Sequence, residues 1–138
     1  RVRAAYAACR ISAEIAPFFQ DLPARMAATH LVIGRAGGSS VAELGVIGRP
    51  SILVPLPHAV DNDQLKNATT LSLAGGAWLI EQRDLTPERL ADEIARLASE
   101  PHRLVAAATA AKAVGRPDAV EHLADLVIEL MQRPESPP

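Results

Sequence analysis

Apolar residues recur along this chain in two rhythms. Three short runs, Leu31-Val32-Ile33, Ser51-Ile52-Leu53-Val54 and Ala77-Trp78-Leu79-Ile80, lack the polar alternation of a half-exposed strand. Such runs predict strands covered on both faces of a parallel sheet. Between them the spacing changes to three and four. Val41, Leu44, Val46 and Ile47 form a stripe that Gly48 closes and Pro50 cannot continue, and residues 61–73 predict the next helix, with Gly75 and Gly76 past its end. Strand, helix, strand, helix, strand with short connections is the sequence form of two right-handed βαβ units.

Helical spacing also marks both flanks. Val2, Ala5, Tyr6, Ala8 and Cys9 recur at helical intervals before Pro17, Phe18 and Phe19 break the pattern into an extended segment. Asp21 with Pro23 then starts a short helix through Ala28. Thr86 before Pro87 signals the cap of a helix with Leu90, Ile94 and Leu97 on one face, and Ser99 and Pro101 start another. The last stripe, Val120, Leu123, Val127, Ile128 and Met131, must pack on something. A polar, proline-rich tail follows at 134–138, so one domain is expected over residues 1–133. Three strands are few for a doubly wound sheet and would leave an edge open to pairing, so the first half of the sheet is expected upstream of Arg1.

Composition narrows the picture. Hydrophobic residues make up 49%, but 26 are alanine and aromatics are only 3%, which favours a helix-rich core packed by Leu, Ile and Val. Fourteen basic against 16 acidic residues leave a net charge of −2, without the basic excess that nucleic-acid binding demands. The one cysteine, Cys9, cannot form an intramolecular disulfide and is expected to be a small buried hydrophobe. No apolar run approaches the ~18 residues that span a bilayer, so any membrane contact is expected to be peripheral.

Candidate chemistry concentrates in Gly34-Arg35-Ala36-Gly37-Gly38-Ser39-Ser40-Val41-Ala42-Glu43, where a strand's carboxyl end turns into a helix. Ligands of open α/β sheets bind at that edge. Gly37 and Gly38 permit positive φ and close approach of a ligand, and free N–H groups of Ser39, Ser40 and Val41 at the helix start favour an anion. Neither a Walker loop nor a Rossmann fingerprint is present. Ser40-x-x-Glu43 is equally a capping box that needs no ligand, whereas a carboxylate at Glu43 can accept hydrogen bonds from a ribose diol. Residues 55–64, ending in Gln64, reach the same edge; capping by Asp61 or Asn62 explains that segment about as well. Arg35 either faces an anion or packs by its stem, and Trp78 is expected in the core. His58, a lone loop histidine, reads as surface, and His30, His102 and His122 carry less signal still.

In this order, Gly34 to Glu43, Pro50 to Pro55, Asp61-x-x-Gln64-x-x-Asn67-Ala68, Ala74-Gly75-Gly76-Ala77 and Pro117-Asp118-Ala119 resemble the C-terminal domain of the MurG family of bacterial glycosyltransferases. The resemblance covers about residues 16–130. It implies a fold class: a Rossmann-like parallel sheet with flanking helices, the C-terminal half of a GT-B glycosyltransferase. It implies the donor-binding half of an inverting UDP-N-acetylglucosamine transferase that converts lipid I to lipid II in peptidoglycan synthesis, at the cytoplasmic face of the bacterial inner membrane. Position by position, Phe19 matches the backbone that pairs with uracil. Gly37, Gly38, Ser39 and Ser40 match the loop at the pyrophosphate and sugar, Glu43 the ribose glutamate, and Gln64 the glutamine that recognises N-acetylglucosamine. Asp63 stands where the family often has His or Gln.

The implied partners are UDP-N-acetylglucosamine and, through an absent N-terminal domain, the undecaprenyl-linked lipid I acceptor. No cofactor is expected, and no catalytic residue is assigned within the chain, which alone should not turn over. Metal-independent transfer is the expectation, on a reading that assigns no Asp-x-Asp motif. The alternatives that remain open are another GT-B UDP-sugar transferase, a UDP-N-acetylglucosamine 2-epimerase, or a non-catalytic nucleotide-binding module.

Overall fold

A computed structural model describes residues 1–132; the tail expected at 134–138 lies outside the described residues. The three apolar runs form β1 (Val32–Gly34), β2 (Ser51–Leu53) and β3 (Ala77–Leu79). These pair in parallel in the order β1-β2-β3, with Ile33 opposite Ile52 and Ile52 opposite Trp78. Helices α1 (Val2–Ala8) and α2 (Leu22–Ala28) precede the sheet. Helices α3 (Gly38–Ile47) and α4 (Asp63–Leu73) make the crossovers, and α5 (Pro87–Ser99), α6 (Pro101–Val114) and α7 (Ala119–Gln132) follow. The expected Rossmann-like parallel sheet with flanking helices is present.

Alternation along three-residue strands divides the core in two. Leu53 and Ala77 pack with Leu44 of α3, Ala68 and Leu71 of α4 and Ala111 of α6, while Ile52 and Ile80 pack with Leu97 of α5 and half-buried Trp78. Caps set the helix ends as the sequence indicates. Thr86 accepts the Arg89 amide at 3.1 Å, and Gly48 takes the left-handed conformation (φ 77°) behind α3. Alanine and glycine bring helices close: α3 and α6 meet where a Cβ on Gly115 would lie 2.5 Å from the Gly45 carbonyl oxygen.

Three expectations are corrected, and a fourth is not met among the described residues. Strand β1 is not covered on both faces: it lies at the sheet edge, and Ile33 is 44% exposed although Leu31 before it packs against the cluster of Ile52, Ile80 and Leu97. Cys9 is exposed, since α1 has only seven residues and buries none of them. Helix α6 is preceded by Glu100 rather than Ser99, whose hydroxyl donates to the Arg96 carbonyl inside α5. The stripe on α7 finds no partner among the described residues: the helix buries none of its side chains, and Val120 and Met131 are 78% and 81% exposed.

The Gly45–Gly115 approach yields a stability test. Gly115→Ala is expected to lower the unfolding free energy by about 1–3 kcal/mol through overpacking. Gly34→Ala, where an added Cβ meets nothing within 4 Å, is expected to cost far less. Equal urea midpoints for the two variants would contradict the close helix contact.

Candidate functional site

The first turn of α3 begins at Gly38, four residues after Gly34 at the carboxyl end of β1. Gly37 precedes it with extended backbone (φ −62°, ψ 147°), and its carbonyl accepts the Val41 amide at 3.0 Å. The amides without an acceptor among the described residues are therefore those of Gly38, Ser39 and Ser40, one residue earlier along the chain than expected. Ser40 sits inside the helix and no side chain caps α3, so the capping box does not form. Glu43, half-buried, makes no hydrogen bond or ion pair among the described residues.

The glycines here differ from those that serve the fold. Neither Gly37 nor Gly38 adopts positive φ, contrary to expectation; the two glycines that do are Gly48 and Gly75. A Cβ would meet nothing within 4 Å at Gly34 or Gly37, and at Gly38 only the Asn67 amide nitrogen at 3.9 Å. No packing among the described residues requires a glycine at these positions. Their effect is to leave backbone open to approach from outside.

Side chains then tie three elements into one frame. The Arg35 guanidinium donates from Nη1 to the carbonyls of Val54 and Pro55, both at 3.2 Å, and so fastens the loop after β2 to the loop after β1. Asn67 Nδ2 of α4 donates to the Ala36 carbonyl at 3.1 Å. Gln64 Oε1 accepts the Leu56 amide at 3.0 Å, which leaves its Nε2 as a free donor. Arg35 engages the Val54 and Pro55 carbonyls through Nη1 alone, and its Nη2 and Nε make no hydrogen bond among the described residues. Its part in the frame and that of Asn67 escape sequence reading, since the partners lie 19 to 31 residues away.

The rest of the loop after β2 departs from helix-capping chemistry. A 3₁₀ turn at Val60–Asn62 leads into α4, and His58, Asp61 and Asn62 all have positive φ. Neither Asp61 nor Asn62 makes a capping hydrogen bond; Asp63 Oδ1 accepts the Gln64 amide at 2.7 Å. Asp61-Asn62-Asp63 has the spacing of an Asp-x-Asp motif, which corrects the reading that assigned none. Among the described residues no three His, Cys, Asp or Glu side chains gather to hold a metal ion. His58 is exposed and lines a cavity of about 300 Å3 with Pro57 and Arg83. His30 and His102 are exposed, and His122 pairs with Asp118 at 3.1 Å.

Phe19 lies in the irregular segment before α2, the helix that packs beside α3. It is half-buried under Arg25, whose guanidinium carbon stands 4.3 Å from the ring centroid. Arg25 also binds Glu14 at 2.5 and 2.8 Å and Asp21 at 2.7 Å. Hydrogen bonds from the guanidinium hold both carboxyls below their ordinary range, and the two carboxylates raise Arg25 in turn. Asp21 therefore serves Arg25 rather than capping α2 by its side chain.

Comparison with known proteins adds to this geometry. The profile of the glycosyltransferase family 28 C-terminal domain matches residues 2–123. The UDP-N-acetylglucosamine--N-acetylmuramyl-(pentapeptide) pyrophosphoryl-undecaprenol N-acetylglucosamine transferase of Rhodopseudomonas palustris (strain HaA2) is 61% identical over 130 residues, 94% of this chain and 36% of that protein. The transferase of the same name from Nitrobacter hamburgensis is 58% identical over 94% of this chain and 35% of its own length. The chain thus spans about a third of the length of these relatives. The crystal structure of Acinetobacter baumannii MurG superposes with a TM-score of 0.83 at 31% identity, covering 92% of this chain and 37% of that one. The glycosyltransferase VinC in complex with DTDP superposes at 0.61 and 26% identity, over 89% of this chain and 31% of its own.

The Gln64–Leu56 bond separates a structural from a recognising role. Gln64→Ala is expected to lower stability by about 1 kcal/mol through the unpaired Leu56 amide. Gln64→Glu keeps an acceptor there and is expected to cost much less. Urea unfolding of both variants checks this; equal losses would show that the side-chain carbonyl is not what holds the loop.

Proposed function

We propose that this chain, which belongs to the glycosyltransferase family 28 C-terminal domain family, is the UDP-N-acetylglucosamine-binding half of an inverting, lipid I-consuming transferase. The observation that carries the reading is the start of α3, where among the described residues three amides lack acceptors, no packing requires the glycines, and the Glu43 carboxylate a turn and a half along has no partner. Backbone N–H groups and the positive end of the helix dipole suit a diphosphate, and the carboxylate suits the vicinal hydroxyls of a ribose. The names of the Rhodopseudomonas and Nitrobacter relatives support the choice of donor and acceptor. VinC, a glycosyltransferase of related fold, is complexed with the nucleoside diphosphate DTDP.

In the proposed reaction an acceptor hydroxyl, deprotonated by a base on the other half of the enzyme, attacks the anomeric carbon of the sugar. The new C–O bond forms as the bond to the β-phosphate oxygen breaks, and the electron pair leaves with UDP. Charge therefore grows on the diphosphate, where the amides of Gly38, Ser39 and Ser40 are already aimed and need no reorganisation. Removal of one well-aimed donor in comparable anion holes costs about 2.7–4 kcal/mol of transition-state stabilisation. Gln64, with its carbonyl engaged by Leu56, would meet a sugar hydroxyl as a donor through Nε2. Phe19 would present its backbone to the uracil edge. Loop positions held by Arg35 and Asn67 keep the sugar contact and the anion site at a fixed separation.

Association with the cytoplasmic face of the inner membrane belongs to the same proposal and would be peripheral. No helix among the described residues is long and apolar enough to cross a bilayer. The acceptor and the catalytic base would be supplied outside the region common to this chain and its relatives.

The test uses a chimera in which this chain replaces the matching 36% of the Rhodopseudomonas palustris transferase. Glu43→Ala is expected to weaken UDP binding about 10-fold to 100-fold, the loss of hydrogen bonds to a charged acceptor, with little change in melting temperature. Calorimetric titration with UDP reads the first and thermal unfolding the second. Normal UDP affinity in a variant that melts early would return Glu43 to a purely structural role.

A further inference from the structure

Between the end of α1 and the start of α2 the chain has no regular structure, and most of its side chains are exposed. Apolar burial cannot hold such a segment in one conformation. Its described side-chain ties are few. Arg3 donates to the Ile15 carbonyl at 3.2 Å, and every other one runs to Arg25. Arg25 takes both oxygens of Glu14 with its two terminal nitrogens, takes Asp21 with Nε, and lays its plane over Phe19. One side chain thus pins the middle and end of the segment to α2. That helix is itself anchored by buried Met26 against the core that contains Leu44 of α3.

We propose that Arg25 is a positioning residue for nucleobase recognition: it fixes the Phe19 backbone relative to Glu43, so that base and ribose are met in register. This rests on the donor-binding reading of Phe19 and Glu43 given above. A planar fork is required, because only a guanidinium can give a carboxylate two parallel bonds, a second carboxylate a third, and an aromatic ring its flat face at once. Each exposed ion pair by itself is worth little. Their joint effect is to remove alternative conformations of a segment that otherwise lacks restraint. A ligand that needs that segment then binds without first ordering it.

The inference separates base from phosphate. In the chimera, Arg25→Ala is expected to bind UDP about threefold to tenfold more weakly, the worth of one or two lost hydrogen bonds. Affinity for inorganic pyrophosphate should stay unchanged, and the preference for UDP over CDP should shrink. Arg25→Lys, which keeps the charge but not the fork, should restore little of this. Backbone amide order parameters from nitrogen relaxation on the same proteins read the segment directly: that of Phe19 should fall in both variants while those of β2 and α3 do not change. An Arg25→Ala variant with the parent's UDP-to-pyrophosphate ratio, or with the Phe19 order parameter unaltered, overturns the inference. If the parent itself binds UDP no more tightly than pyrophosphate, the donor reading fails, and this inference with it.

Discussion

An α-helix cannot satisfy its own first amides, and in α3 the three left over open onto the carboxyl end of a parallel sheet. A side-chain cap can meet this constraint, as Thr86 does for α5. Here Gly37 stands at the cap position and offers none, while Ser40, the residue able to cap, is already inside the helix. The helix start therefore retains its donors and its dipole without a partner among the described residues. The remaining features of the site serve to hold other groups at fixed places around that unsatisfied end.

Three kinds of restraint do this. Parallel pairing of β1 with β2 sets the two loops side by side. Arg35 and Asn67 then lock them through backbone carbonyls, so the spacing does not depend on the identity of the loop side chains. On the other flank, α2 packs against α3 and carries the Arg25 cluster that steadies Phe19. Positive φ at His58, Asp61 and Asn62 concentrates backbone strain in the loop that presents Gln64, where the surrounding bonds hold it.

Much of the fold was legible because local and global signals agree. The three apolar runs are the three strands, Gly48 closes α3, and Thr86 with Pro87 opens α5. What the pattern could not convey was which faces find neighbours. The runs around Ile33 and Ile52 look alike in sequence, yet one strand lies at the sheet edge and the other at its centre. The α7 stripe is plainly apolar, but periodicity names a face and not the surface that covers it. At the site, the glycine-to-helix turn and Glu43 stood out by spacing. The competing capping box was decided only by helix phase, which a one-residue shift at the boundary alters. Arg35 and Asn67 gave no local signal, since each acts through partners set by tertiary contact, and of Arg25's partners only Asp21 stands at local spacing.

A crystal structure of the chimera with UDP tests the central claim most directly. It should place the diphosphate with oxygens about 3 Å from the amides of Gly38, Ser39 and Ser40, and the ribose hydroxyls on the Glu43 carboxylate. A nucleotide bound elsewhere, with those three amides facing only water, would contradict the account.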